Sequence, residues 1–308
     1  MARIESKLKA GAYPLEEDKR NMLANIIRPY AGDAMQGILV DPFCNNGDTA
    51  NFLAKSWNME WYGVEIQKEL AREAQEKHGL NRVIYGDAYD VTISHGSIDV
   101  LYLNPPYDTD PTTGLFDSNR SEVTALSNLL KYVSLDGMII LVMYAHNVNA
   151  DIFRHMLKAT NRLMFFRFPE PHLGRYNQVV IIGIRQRGYS PPMALEIGDK
   201  IDKLLKWFTP EQSMKLPDIS KGVPKAYHAH TFGHEKIRLP EPIRVRDWTF
   251  VSRKPDWETD TMLFSQFGPQ HQKEFLDVCQ PPPPHQKIRP PAKMTDNHAA
   301  ILLNAEII

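Results

Sequence analysis

The run Asn104-Pro105-Pro106-Tyr107 combines residue types suited to holding an amine in place. Each proline fixes its own φ and drives the residue before it into extended backbone, so Asn104 and Pro105 are stiff before any ligand arrives. Neither proline has an N–H, and the stretch therefore offers acceptors: the Asn104 side-chain oxygen and the Pro105 carbonyl can take hydrogen bonds from one amino group. An exocyclic amine on an aromatic ring is a poor nucleophile because its lone pair is delocalised into the ring. Two acceptors on its hydrogens favour a pyramidal nitrogen whose lone pair points at an electrophilic carbon such as a sulfonium methyl. That is positioning plus electrostatic stabilisation, and it requires no strong general base. Tyr107 adds an aromatic face for a planar substrate, and a base in a duplex must be flipped out to reach it.

Three acids recur upstream at the ends of apolar runs. Ile38-Leu39-Val40-Asp41 breaks into Pro42-Phe43-Cys44-Asn45-Asn46-Gly47-Asp48-Thr49, a loop without the Gly-Lys-Ser/Thr of a phosphate cradle. Gly47 allows close backbone approach by a ligand, and Asp48 or Thr49 is placed to cap a following helix; an ordinary βα turn would use the same residues. Gly63-Val64-Glu65-Ile66 then puts an acid where ribose hydroxyls are bound in open α/β sheets, although a glutamate opening a helix beside the dipole would look alike. Gly86-Asp87-Ala88 supplies a third acid, suited to an adenine amino group. Together the three tips describe a nucleoside cofactor without a pyrophosphate.

Elements must bring these residues to one edge. Apolar runs at Ile38 to Phe43, Trp61 to Ile66, Arg82 to Tyr85, Ile98 to Leu103 and Met138 to Tyr144 alternate with helical patterns at 49–57, 67–78 and 121–134, and Ile152, Phe153, Met156 and Leu157 mark one more helix. Such β-α order predicts a parallel sheet covered on both faces, with ligands outside the carboxyl ends of its strands. Leu163 to Phe168 and Gln178 to Ile184 are joined too closely for a crossover helix and should pair antiparallel. Beyond residue 188 the spacing predicts a helix at about 195–208 and a strand around Ile243 to Val251, with proline-punctuated segments elsewhere.

The 308 residues allow a full α/β core. With 36 basic and 37 acidic residues there is no global positive field, so a nucleic-acid partner would have to engage a local patch. Two cysteines cannot supply a disulfide framework, and no apolar stretch approaches the length of a membrane span, so an intracellular, cytoplasmic protein is expected. His228, His230 and His234 lack a cysteine or paired acid at matching spacing and are read as loop residues, with no metal expected.

Taken in order, these residues resemble the class I S-adenosylmethionine-dependent methyltransferases, and the N-P-P-Y run is similar to that of γ-type N6-adenine DNA methyltransferases. The resemblance covers roughly residues 10 to 186 and implies a Rossmann-like sheet, mostly parallel, with a terminal antiparallel hairpin. It implies S-adenosyl-L-methionine as cofactor, lined by Asp41, Pro42, Phe43, Asn45 and Gly47, by Glu65 and Ile66 at the ribose, by Asp87 and Ala88 at the adenine, and by Asn104. Tyr13, in Gly11-Ala12-Tyr13-Pro14, would line the methionine end. Asn104, Pro105, Pro106 and Tyr107 would be catalytic. Asn45 stands where the family has its first loop glycine, and Leu15-Glu16 where a threonine-proline pair often follows the tyrosine.

On this reading residues 1–188 form the catalytic domain, with 1–36 as its N-terminal cofactor-lining segment, and 189–308 form a C-terminal extension for substrate recognition containing a proline-rich linker at 281–291. The same signature serves enzymes acting on DNA adenine, on RNA bases and on a protein glutamine amide. Motif order favours DNA adenine, with RNA next, and a catalytically silent binding module is the alternative from another class. Tyr107, Phe116, Phe168 and Tyr176 are the candidate substrate contacts, although core packing is the commoner role for Phe168 and Tyr176. The polar loop Asp108 to Arg120 is expected to act as a lid.

Overall fold

Met138 to Met143 is apolar at every position and has no helical period, so its stable place is a strand covered on both sides. In a computed structural model of the chain all six of these residues are fully buried. The structure describes residues 14–32, 34–105, 121–169, 177–186, 194–225, 236–242 and 248–253. The chain divides into two compact units, Met1–Asp256 and Trp257–Ile308, and every described residue lies in the first.

The chain order begins α1 (Glu17–Ile26), β1 (Ile27–Arg28), β2 (Ile38–Asp41), α2 (Asp48–Trp57), β3 (Glu60–Glu65), α3 (Lys68–His78), β4 (Val83–Tyr85), β5 (Val91–Ile93) and β6 (Ile98–Leu103). It continues α4 (Ser121–Leu129), β7 (Val133–Tyr144), α5 (Ala150–Ala159), β8 (Thr160–Arg167), β9 (Gln178–Arg185), α6 (Ala194–Leu205), α7 (Pro210–Ser213), β10 (Ile237–Arg238) and β11 (Phe250–Ser252). Seven strands form one sheet in the order β4-β3-β2-β6-β7-β9-β8. The first five are parallel, and β9 runs antiparallel between β7 and β8. The α/β sheet is therefore mostly parallel and ends in a hairpin, as expected.

Alternation divides the strand side chains between two cores. Leu39, Tyr102, Val142, Phe166 and Val180 join residues of α1 and α2 on one face. Val40, Leu101, Leu141, Ile181 and residues of α4 and α5 fill the other. Each such aliphatic side chain contributes about 1.5–3 kcal/mol relative to exposure.

Several expectations are corrected. The helix predicted over 121–134 stops at Leu129, a 3-10 turn covers Leu130–Tyr132, and β7 starts at Val133 rather than Met138. Val133 is β-branched, fully buried and paired with Ile98, and the irregularity that spoils the strand pattern lies at Asp136, whose φ of 64° bends the chain before Gly137. The helix expected at 195–208 gives way to a 3-10 turn at Lys206–Phe208. Of the strand expected around Ile243 to Val251 only Phe250–Ser252 forms within the described residues, antiparallel to β5.

The stretch 194–253, read as part of the C-terminal extension, shares one unit with the sheet. Phe208 packs its ring against Phe153 and Phe165, β10 pairs with β1, and Arg167 N–H donates to Pro217 C=O at 2.9 Å on the open edge of β8. Covering that edge removes a row of backbone groups open to foreign strands.

Candidate active site

Parallel pairing of β4, β3, β2, β6 and β7 brings their carboxyl ends, and hence Tyr85, Glu65, Asp41, Leu103 and Tyr144, to one edge of the sheet. At three of these tips a carboxylate accepts the N–H two residues ahead: Asp41 Oδ1 from Phe43 at 3.0 Å, Glu65 Oε1 from Gln67 at 2.8 Å and Asp87 Oδ1 from Tyr89 at 2.8 Å. Short polar side chains turn the backbone in this way when a strand must stop.

The loop after β2 is held tightly. Asn45 has φ 52° and Gly47 φ 77°, both left-handed. Asparagine tolerates that region better than other residues with a Cβ, so the substitution of the family's first loop glycine is accommodated. Asn45 N–H donates to Glu65 Oε2 at 2.9 Å and Asn45 Nδ2 donates to the Phe43 carbonyl at 3.2 Å. Cys44 lies over Gly63, where a Cβ would come within 2.6 Å of its sulfur, so β3 must carry glycine there. Asp48 Oδ1, at the start of α2, accepts from Lys77 Nζ of α3 at 2.5 Å.

Burial lifts the Asp41 carboxyl to a pKa of about 7, against the Phe43 N–H bond, and the neighbouring Glu65 adds to the rise. Burial raises Glu65 too, opposed by the N–H groups of Gln67, Asn45 and Ile66. Cys44 is pushed well above the ordinary thiol range by burial and by these two carboxylates, which makes it a packing residue and no nucleophile.

The arrangement fits a nucleoside with a positive charge. Of the roughly four acceptor sites of the Glu65 carboxylate, the N–H groups of Gln67, Asn45 and Ile66 occupy three, leaving one for a ribose hydroxyl. Ile66, beside it, is 64% exposed, an apolar side chain at a polar tip for a planar ring to cover. Pro42 and Ala88 are buried, while Phe43 and Asp87 are half-buried. Burial and the neighbouring Glu65 hold the Asp41 carboxyl near neutrality, and a bound cation would draw it toward its charged form.

Asn104 follows β6 at the same edge, half-buried, with Pro105 buried beside it. By alternation Asn104 shares the sheet face of Tyr102 and Val142. Tyr13, Pro106, Tyr107, Phe116, Tyr176, the expected lid 108–120 and the three histidines lie outside the described residues. Phe168, expected beside the substrate, is corrected: it is fully buried in the core under the Lys19 ammonium, 5.5 Å from its ring centroid, and offers no open face.

Other residues at this edge carry no sequence signature. Tyr144, half-buried at the end of β7, stacks on the exposed His146 with ring centroids 5.3 Å apart and planes 14° apart. Glu122 and Asn147 are buried and joined by a hydrogen bond of 3.1 Å. Lys19 of α1 is only 2% exposed and donates to Gln178 Oε1 at 2.7 Å. Among the described residues no group of three His, Cys, Asp or Glu is placed to hold a metal ion, and no helix is long and apolar enough to cross a membrane.

Several solved structures are similar in part. A TehB-like SAM-dependent methyltransferase from Corynebacterium glutamicum ATCC 13032 Kitasato is 16% identical over 60% of this chain and 95% of its own, with a TM-score of 0.39. An RNA methyltransferase from Salinibacter ruber, in complex with S-adenosyl-L-homocysteine, is 15% identical over 58% of this chain and 97% of its own, with a TM-score of 0.36. A type I restriction-modification system methyltransferase subunit from Streptococcus thermophilus is 14% identical over 65% of this chain and 54% of its own, with a TM-score of 0.43. Family membership rests on a different match, which spans residues 1–201 and takes in α1, the whole sheet and every acid described above. The chain belongs to the Uncharacterised methyltransferase family DUF6094.

Proposed function

We propose that the chain methylates the N6 amine of adenine in DNA. The observation that carries this reading is the placement of Asn104 and Pro105: two stiff acceptors at the tip of β6, next to the β2 tip because Leu39 pairs with Val100 and Val40 with Leu101. When bound, S-adenosyl-L-methionine supplies an electrophilic methyl on a sulfonium. Asp41 and Glu65 attract its positive charge, and Glu65 holds its ribose. Asn104 Oδ1 and the Pro105 carbonyl accept the two amine hydrogens and turn the nitrogen lone pair toward the methyl. A nitrogen–carbon bond would form as the sulfur–carbon bond breaks, and the cationic methylated nitrogen would then lose one proton to water to leave a secondary amine. Residues 1–188 do this chemistry, the segment 1–36 lines the cofactor, and 189–308 contribute to recognition of the nucleic acid.

Tritiated S-adenosyl-L-methionine, incubated with separate pools of unmethylated DNA, RNA and protein, tests the reading. Label in DNA, recovered as N6-methyladenine, is the expected result. Label in RNA alone moves the assignment to an RNA base, and label confined to protein rejects a nucleic-acid substrate. Calorimetry that detects binding of neither S-adenosyl-L-methionine nor its demethylated product would reject the enzyme.

A further inference from the structure

The turn that carries Asp87 is held at both of its ends. At its start Gly86 N–H donates to the Glu65 carbonyl at 3.0 Å, which ties it to the tip of β3. Within it Tyr89 N–H donates to Asp87 Oδ1 at 2.8 Å, and Asp90 N–H donates to the Asp87 carbonyl at 3.0 Å. At its end the Asp90 carbonyl accepts from Arg253 N–H at 2.7 Å. Bonds between near neighbours set the shape of a turn, but its place relative to the sheet depends on what holds its ends. Here one end is held by the sheet and the other by β11.

β11 is itself firmly docked. Phe250, Val251 and Ser252 pair with Ile93, Thr92 and Val91 of β5. The Thr249 carbonyl accepts from Ser94 N–H at 3.1 Å, and Thr249 N–H donates to Ser94 Oγ at 2.8 Å. Arg253 Nε donates to Thr92 Oγ1, 161 positions away, at 3.3 Å. Trp248 and Phe250, two residues apart and hence on one face of the strand, both meet the ring of Tyr62 on β3, with centroids 4.5 and 5.5 Å away. Val251, between them in register, is exposed. Aromatic contact of this extent fixes where the strand lies.

Asp87 is half-buried, and among the described residues Oδ1 holds the Tyr89 N–H while Oδ2 has no hydrogen bond. A carboxylate only accepts, so it favours a ring amine over a carbonyl oxygen at the same place. We propose that β11 is part of the cofactor site, and that Arg253, through its main-chain N–H, is a positioning residue that holds the Asp87 turn where its carboxylate meets the adenine amine of S-adenosyl-L-methionine. β11 lies beyond the residues 1–201 that match the family, so this role is one that the matched segment does not contain. The inference rests on the reading that Asp87 meets the adenine.

Calorimetry tests it without turnover, using S-adenosyl-L-homocysteine and S-inosyl-L-homocysteine, in which a carbonyl oxygen replaces the adenine amine. The wild type should bind the adenosyl form at least about tenfold more tightly, because the inosyl form sets two acceptors face to face. Asp87→Asn, whose amide can donate as well as accept, should narrow that ratio to about threefold or less. Arg253→Pro removes the N–H, and Ser252, already in a strand, has the backbone that a following proline requires. It should narrow the ratio as Asp87→Asn does. Arg253→Ala keeps the N–H and should keep most of the wild-type ratio. A strand that merely stabilised the fold would lower the melting temperature in Arg253→Pro and leave the ratio alone.

Trp248→Ala loosens β11 by another route and keeps the inference open to refutation should the proline variant fail to fold. In the cofactor-free protein, amide hydrogen exchange at Tyr89 and Asp90 should quicken by about tenfold or more while the amides of β6 keep their wild-type protection. A wild-type ratio in Arg253→Pro, or unchanged exchange at Tyr89 and Asp90 in Trp248→Ala, would overturn the inference while the Asp87 reading stands. If the wild type and Asp87→Asn show the same ratio, the Asp87 reading fails and the inference fails with it.

Discussion

At the tips of β2, β3 and β4 the carboxylates proposed to meet the cofactor are held by their own neighbours. Asp41 is satisfied by Phe43, Asp87 by Tyr89, and Glu65 by Gln67 together with Asn45, 20 residues away. At the tips of β7, β9 and β8 the arrangement is the reverse, for Lys19 reaches a residue 159 positions away to fix Gln178, and Phe168 comes from a third element. The cofactor side is organised by turns that a short peptide segment can specify. The cluster of Lys19, Gln178 and Phe168 exists only once distant parts of the fold have docked.

Variants that act on one side only sharpen this contrast. The largest effect is expected for Asn104→Ala, which removes an acceptor used at the moment of transfer: kcat should fall by about 10²–10³ while cofactor affinity stays within a few fold, as single-turnover rates and calorimetry would show. Equal losses in both would mean that Asn104 belongs to the cofactor side. Glu65→Gln should do the opposite, weakening cofactor binding by about 10–100-fold with a smaller change in single-turnover kcat, because it removes a charged acceptor from the ribose and loosens the Asn45 N–H bond.

The smallest effect is expected with pH. Folding raises the Asp41 carboxyl from 3.8 to about 7, so the protonated side chain favours the folded state. Its contribution to the stability of the cofactor-free protein is full below about pH 4 and is lost as pH rises through 7. The difference in melting temperature between wild type and Asp41→Asn should therefore move against the wild type from pH 5 to pH 8. A constant difference across that range would show that Asp41 does not titrate there.

The same contrast explains what the sequence revealed. The placement of Asp41, Glu65 and Asp87 at strand ends was legible because each follows an apolar run beside its own turn residues, and the sheet followed from the alternation of those runs with helices. Asn104 and Pro105 were legible because proline chemistry is local. The left-handed φ of Asn45 is one that its residue type tolerates. Lys19 was not legible: in Glu17-Asp18-Lys19-Arg20 it reads as one more solvated charge, and only the packing of α1 over Phe168 hides it. Phe168, a candidate substrate contact for which core packing was the commoner expectation, takes the core role, and nothing in its neighbourhood along the chain shows that α1 covers it. The early start of β7 was hidden by the polar kink at Ser134 to Asp136.

The position of β9 between β7 and β8 has a consequence for assembly. β8 precedes β9 along the chain, and its strand partner within the sheet is β9, so it waits at the margin until residues 178–185 slide in beside β7. During synthesis the β2, β3, β4 and β6 pairings can close as soon as residue 103 has emerged, whereas the pairing that brings Gln178 to Tyr144 waits for another 75 residues, 178 less 103. Contacts of that sequence separation form late because loop closure must precede them. A nascent chain thus closes the strand tips of Asp41 and Glu65 before the one that carries Gln178.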